Sequence, residues 1–302
     1  MEPLLGVFPV PEAGRQEQLI EQVLLADRLG LDLVGIQDHP YQRRHLDAWM
    51  LLAYLAGRTE RVRFFPDVAN LPLRPPAVLA KAAASLDRLS GGRFELGLGA
   101  GAFWEGIEAW GGPVRSGPQS VDTLEEANGI IRRVWAGERG ITVEGGHYRL
   151  HGAHGGPPPA HDIGIWLGAY GPRMMRVVGR LADGWIPSLP RLPLEEVPAR
   201  QEAIDEAARG AGRDPARIRR VANVNGAIVD GPAKGWLRGP VEHWVEELVR
   251  LARELRFDGF VLWPDHEDVL GQTERFASEV APLVRRSLAW PRVGSPPPPG
   301  AA

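Results

Sequence analysis

The chain has 302 residues, 44% of them hydrophobic, and a formal net charge of −3, which is enough material for one large core. It contains no cysteine, so disulfides, thiolate nucleophiles and cysteine metal sites are excluded, and the composition fits a cytoplasmic protein. No Lys/Arg run, no apolar run of membrane-spanning length and no basic-then-apolar leader is present, so neither nucleic acid nor membrane is expected as a partner.

Strand-like and helix-like stretches alternate along the chain. Residues 4–8 read as a first strand. Residues 17–29 carry Leu19, Ile20, Val23, Leu24 and Ala26 at helical spacing, and Gly30 closes that helix. A second strand over 33–36 stops at Gln37-Asp38-His39-Pro40, and a helix over 48–56 follows. The third strand, 62–65, ends at Pro66 and Asp67. An alanine-rich helix spans 77–89, and a fourth strand over 94–98 runs straight into Gly99-Ala100-Gly101. After a helix over 121–135 the rhythm breaks. The segment 138–162 is rich in Gly, Pro and His and reads as a hairpin-type insertion around Gly145-Gly146.

The alternation then resumes. A strand over 163–167 leads to a helix over 172–181 that starts with Pro172, where a missing amide hydrogen costs nothing. A brief strand at 185–186, a helix over 194–211, a strand over 218–224, a helix over 241–255, a strand over 259–263 and a helix over 273–288 complete the series. The Pro-rich tail, 291–302, is expected to be disordered.

Eight alternations with apolar, non-alternating strands predict a parallel sheet covered by helices, and eight is the number that closes a (β/α)8 TIM barrel. An open doubly wound sheet would want a glycine-rich loop after its first strand, where this chain has Pro9-Val10-Pro11. Residues 1–290 are therefore read as a single barrel domain. In a barrel the residues that follow the strands converge on one mouth. That arrangement gathers Asp38, His39, Pro66, Asp67, the stretch from Gly99 to Glu105, the stretch from Gly168 to Arg173, Pro187, Asn225 and Pro264.

Several of these residues suit chemistry. A carboxylate beside an imidazole, as in Asp38-His39, can orient or protonate a ligand, although an Asp cap beside a packed ring accounts equally well for the pair. Pro40 biases His39 to an extended backbone. The turn Gly168-Ala169-Tyr170-Gly171-Pro172-Arg173-Met174 opens a helix whose free amides and dipole suit a phosphate, with Arg173 as an added charge. His147, His151, His154 and His161 share the insertion, which is read as a hairpin and not a helix, and no carboxylate pattern of a known metal site accompanies them, so no metal site is expected. No Gly-x-Ser-x-Gly elbow and no P-loop motif is present.

The runs LPLRPPAVLAKAAASLDRLSGGRFELGLGAG (71–101) and IWLGAYGPRMMRVVGRLADGWIPS (165–188) resemble the bacterial luciferase-like family of flavin- and deazaflavin-dependent oxidoreductases. The resemblance extends from Gly6 to about Arg286. It implies a (β/α)8 barrel with loop insertions at a C-terminal mouth that holds a flavin or its 5-deaza relative. It also implies a cis peptide at the end of the third strand, within 65–69. Here Pro66 and Asp67 replace the usual small residues, and a cis Phe65–Pro66 bond is the inexpensive form. Asp38, Pro66, Asp67, Ala69, Ala100, Gly101 and Glu105 would line the cofactor. Tyr170, Gly171, Arg173 and Met174 match the phosphate-binding turn.

Asp38-His39 resembles the branch that uses coenzyme F-420, whereas many FMN-using members show a Glu-His type of pattern. F-420 is therefore the favoured cofactor and FMN the alternative. The implied activity is hydride transfer to or from a small, apolar organic substrate, with His39 as proton donor or acceptor and Asp38 beside it. Phe103, Trp104 and Trp185 would form a hydrophobic substrate pocket. Sugar-phosphate dehydrogenases of this branch carry a glutamate directly after Gly-x-Gly, where this chain has Ala102, and its next carboxylate is Glu105. That departure argues against the sugar-phosphate reaction. The alternative activity is an FMN-dependent two-component monooxygenase that consumes O2, and a lesser alternative is a barrel that binds a ligand without catalysis. The resemblance leaves room for a separate flavin or F-420 reductase and for a homodimer.

Overall fold

Short apolar runs become the staves of a parallel barrel. The computed structural model describes residues 2–289, and the tail expected to be disordered lies outside them. The strands are β1 (Leu4–Val7), β2 (Leu33–Ile36), β3 (Arg63–Pro66), β4 (Ala69–Asn70), β5 (Leu96–Gly99), β6 (Ile141–Glu144), β7 (Arg149–Ala153), β8 (Ile165–Leu167), β9 (Gly184–Trp185), β10 (Arg219–Ile228), β11 (Arg238–Gly239) and β12 (Gly259–Pro264). The helices are α1 (Gln16–Arg28), α2 (Ala48–Ala56), α3 (Pro76–Leu89), α4 (Trp104–Ala109), α5 (Gly117–Trp135), α6 (Pro172–Leu181), α7 (Val197–Gly210), α8 (Val241–Leu255), α9 (Val269–Arg275) and α10 (Ala281–Ala289).

The main sheet runs β3-β2-β1-β12-β10-β9-β8-β5-β4, with parallel pairing at each step. Its two ends are consecutive in the chain. A parallel bridge between Phe64 of β3 and Phe94, just before β5, closes the ring, with Phe64 N–H donating to Arg93 O at 2.9 Å. The sheet thus closes into eight staves, the third being split into β3 and β4. This is the (β/α)8 barrel expected from the alternation.

Alternation along each strand sorts the core. Leu33, Phe65, Trp166, Ile186, Val221 and Val261 form one buried cluster, while Val34, Phe64, Leu167, Ala222 and Leu262 join the larger cluster with the helices. Adjacent residues therefore face opposite sides, as a pleated strand requires. The first cluster is the packed barrel interior. Phe65 and Trp166 meet there with ring centroids 5.4 Å apart. Two glycines make the space: a Cβ at Gly35 would come within 2.7 Å of the Phe65 ring, and one at Gly97 would overlap the Pro66 carbonyl.

Three local expectations need correction. The cis bond lies between Asp67 and Val68, not between Phe65 and Pro66. Pro66 is still in register with Ile36, and Asp67 N–H donates to Ile36 O at 2.7 Å, so the strand continues past the proline and turns only after Asp67. The helix expected over 273–288 is three pieces: α9, a π-helical turn at Phe276–Val280, and α10. The stretch between Gly101 and the helix read over 121–135, to which the sequence assigns no element, holds the short helix α4.

Within 138–162, β6 and β7 form an antiparallel pair. Its return to the barrel is tied by Asp87 of α3, which is fully buried. One Asp87 oxygen accepts from the amides of Ala160 (2.6 Å) and His161 (3.0 Å), and the other meets His161 Nδ1 at 2.7 Å. Hydrogen bonding to Glu95 raises the His161 pKa above its ordinary value, with Asp87 adding to the effect. At the N-terminal end of the barrel a cavity of about 550 Å³ is lined by Asp32, Arg63, Glu95, Asp183, Arg217 and Arg219 among others. Several of its charges are already paired, Arg63 with Glu95 and Asp32 with Arg285. In barrels of this type that end serves stability.

Candidate active site

Asp38 and His39 leave β2 at the C-terminal end of the barrel, but their side chains take different surroundings. Asp38 is 1% exposed. Arg74 holds it in a fork, with Nε 2.6 Å from Oδ2 and Nη2 2.7 Å from Oδ1, and the Asn70 amide adds a bond of 3.0 Å. The same guanidinium reaches Asp47 at 2.8 Å. Asp47 in turn caps α2 through the amides of Trp49 and Met50. A bidentate, charge-assisted pair of this kind fixes geometry as well as charge. Both oxygens of Asp38 are thereby engaged, and the residue acts on His39 only through space.

His39 instead turns to Tyr41, its Nδ1 lying 2.7 Å from the phenolic oxygen. The Tyr41 ring leans on Phe103, with centroids 5.3 Å apart. Burial pushes the His39 pKa below its ordinary value. Asp38 pulls it back up, and His45 and Arg191 push it down further. Burial and Asp38 raise the Tyr41 pKa against the opposing pull of Arg191. At neutral pH the pair is therefore a neutral imidazole and an intact phenol.

The bulge after β3 brings the two loops singled out in the sequence to one place. A Cβ on Gly99 would come within 2.6 Å of Val68 Cγ2, and one on Gly168 within 3.1 Å of the same atom. Val68 is thus seated between the ends of β5 and β8. Beside it, Asp67 turns toward Gly35, where an added Cβ would meet its Oδ2 at 3.0 Å. Burial raises the Asp67 pKa to about 7, with the Asn223 side chain working against the rise. No charged group contributes to that shift. Asp67 Oδ2, Asn70 Oδ1 and Asn223 Oδ1 are buried without a hydrogen-bond partner. Buried acceptors left bare are costly, so three of them near one bulge mark a place where donors are wanted.

Of the other residues expected to line a cofactor, Pro66 and Ala69 are buried in the strands and Ala100 is half-buried. Gly101 has a positive φ of 97°, and a Cβ there would meet the Trp104 ring at 2.8 Å. Trp104 and Glu105 start α4, with Glu105 exposed. Phe103 is half exposed. Trp185 does not reach the mouth: it is fully buried, stacked on Phe257 at 5.9 Å, and its indole N–H donates to Ala169 O. The expectation that it lines a substrate pocket is corrected. Alternation points this ring outward, toward the helices.

The turn from β8 into α6 presents Gly171 as N-cap and Pro172 in the first turn. Tyr170 OH accepts from Ser188 N–H at 2.9 Å, and Arg200 donates to Tyr170 O. Arg173 is exposed and bonded to Asp122 and to Pro118 O, so its guanidinium points along the surface toward α5. Met174 packs against the core. Arg74, Tyr41, Asn223 and Arg200 were missed from the sequence. Only Tyr41 carried a local signal, two residues after His39.

Residues 6–237 match the luciferase-like monooxygenase family, and the chain belongs to that family. Among curated proteins it is 38% identical over 208 residues to a phthiodiolone/phenolphthiodiolone dimycocerosates ketoreductase of Mycobacterium tuberculosis, covering 67% of this chain and 51% of the relative. It is 36% identical over 177 residues to an F420-dependent glucose-6-phosphate dehydrogenase of Intrasporangium calvum, covering 56% and 53%. The chain spans about half the length of these relatives.

Among solved structures, an F420-dependent secondary alcohol dehydrogenase in complex with an F420-acetone adduct superposes with a TM-score of 0.84 at 20% identity, over 94% of this chain and 99% of the other. The FMN-bound oxygenating constituent of 3,6-diketocamphane monooxygenase from Pseudomonas putida superposes with a TM-score of 0.74 at 19% identity, over 93% and 99%. At such identities these two likenesses establish the fold, and chemistry has to be argued from the site.

Proposed function

We propose that this protein is an F-420-dependent oxidoreductase that transfers hydride between the deazaflavin and the carbon of a small carbonyl or alcohol substrate. The observation that carries the reading is His39: a neutral imidazole at the barrel mouth, held by Tyr41 and relieved of direct contact with Asp38. Such a group moves a proton at neutral pH without first having to lose one. Curated relatives named as F420-dependent and as a ketoreductase support the cofactor and the reaction class.

The residues present fit a deazaflavin. Val68, backed by Gly99 and Gly168, offers a small apolar surface for a planar ring. The unpartnered acceptors on Asp67, Asn70 and Asn223 offer hydrogen-bonding sites for a polar ring edge. The first-turn amides of α6 after Gly171 suit a phosphate, and Tyr170 is anchored through Ser188 and Arg200. Bound there, the cofactor supplies a carbon that gives or accepts hydride. Arg74 fixes Asp38 and the strand ends, the bulge at Val68 would back the ring, and His39 would hold or deliver the proton that accompanies the hydride. Phe103 and Trp104 exclude water on the open side.

Fluorescence titration of the tryptophans with oxidised F-420 and, separately, with FMN tests the reading. Saturable quenching by F-420 with weak response to FMN is expected. Tight FMN binding, together with O2 consumption when reduced FMN is supplied, would replace it with the two-component monooxygenase reading.

A further inference from the structure

Nδ1 of His39 is the nitrogen that meets Tyr41, at 2.7 Å, so the Tyr41 phenol bears on which ring nitrogen of His39 carries the proton. The phenol is held in turn. Its ring leans on Phe103, and both rings lie across Gly106 of α4, where an added Cβ would fall 2.5 Å from Phe103 Cδ1 and 2.8 Å from Tyr41 Cγ. Tyr41 is half-buried, within reach of solvent. The other charged or titratable groups that bear on the pair are Asp38, His45 and Arg191. Asp38 is occupied by Arg74, which leaves Tyr41, among the described residues, as the hydrogen-bond partner of the His39 ring.

We propose that Tyr41 is a positioning residue that holds His39 as its Nε2–H tautomer and links it to solvent as a proton relay. The relay rests on the oxidoreductase reading above. In the reducing direction the cofactor would supply hydride to the substrate carbonyl carbon, and the carbonyl π pair would move to oxygen. The oxygen takes the Nε2 proton of His39. Nδ1 takes the phenolic proton of Tyr41, and the phenolate recovers one from water. The net change would be carbonyl plus reduced cofactor to alcohol plus oxidised cofactor, the proton drawn from water being matched by the N–H proton that the cofactor would shed on losing hydride. An intact phenol and an unprotonated imidazole, the forms favoured by burial, are the starting states this sequence needs. Without the phenol, giving up the Nε2 proton would leave an imidazolate in a half-buried site.

The test uses ¹⁵N-histidine NMR on the full chain without cofactor or substrate. Wild type is expected to show neutral His39 as the Nε2–H tautomer with Nδ1 accepting a hydrogen bond. Tyr41→Phe, which keeps the ring on Phe103, is expected to give a tautomer mixture. Gly106→Ala, which crowds both Phe103 and Tyr41 without deleting the hydroxyl, is expected to do the same. With cofactor and a ketone, Tyr41→Phe should lower kcat by roughly tenfold with KM within about twofold, and should shrink the solvent deuterium isotope effect. An Nδ1–H tautomer in wild type, or an Nε2–H tautomer that persists in both variants, would overturn the assignment. Absence of turnover with any deazaflavin would count against the proposed function alone, because the tautomer is read without cofactor.

Discussion

At the residue scale, the site separates two side chains that are neighbours in sequence. Asp38 is committed to Arg74 and His39 to Tyr41, so the adjacent pair is not a carboxylate–imidazole couple in space. The dipeptide was legible because it follows an apolar strand. Its division of labour was not, because Arg74 lies 36 residues away and reaches Asp38 only through the fold. His39→Ala is expected to lower turnover by roughly 10²-fold or more with cofactor affinity nearly unchanged; parallel measurement of kcat and of the binding titration checks this.

Asp67 gives a second prediction at this scale. Its folded pKa of about 7 lies above the ordinary aspartate value of 3.8, so between those values the folded state holds a proton that the unfolded chain has released. This contribution to stability is fully present below about pH 4, declines as pH rises and levels off above about pH 7. Its span is about 4 kcal/mol at the free energy of one pKa unit. Asp67→Asn should remove that component, and chemical denaturation of both proteins at pH 5 and pH 8 measures it. An equal loss in the variant would show that the slope belongs to other groups.

At the scale of elements, the glycines after the strands matter for what they leave room for. The Gly99-Ala100-Gly101 and Gly168-to-Arg173 loops were recognisable as strand ends followed by small residues. That both close around Val68 could be read only once the barrel was formed. The bulge itself was placed in the right stretch and the cis bond at the wrong peptide, because the register Ile36↔Pro66 that carries β3 through the proline is a property of strand pairing. The outward direction of Trp185 was hidden for the same reason, since a two-residue strand gives no alternation to read. Gly171→Glu would place a carboxylate at the N-cap, where nothing lies within 4 Å of an added Cβ. The helix should tolerate it, so cofactor affinity is expected to fall by roughly tenfold or more through charge repulsion at the phosphate turn, with thermal stability little changed. A variant that binds as tightly as wild type would remove α6 from the cofactor site.

At the scale of the molecule, strand–helix alternation predicted the closed barrel because each stave is apolar on both faces and must be covered. The hairpin of β6 and β7 is outside that logic, and Asp87 joins its return to the barrel frame. Asp87→Ala strands two amides and a histidine nitrogen, for an expected loss of about 3 kcal/mol or more in unfolding free energy. Denaturant melts compare that loss with substitutions at exposed acidic residues. Because His161 has a raised pKa, its pairing with Asp87 and Glu95 is at full strength below pH 6.5 and weakens as pH rises through its folded value.

The central claim is that the mouth of this barrel binds a deazaflavin, and the most direct measurement is the titration of the full chain with F-420 and FMN, followed by tryptophan fluorescence. The account predicts saturable, tight quenching by F-420 that is lost in Gly171→Glu and kept in His39→Ala. Tight binding of FMN with none of F-420, or binding of F-420 that Gly171→Glu leaves untouched, would contradict it.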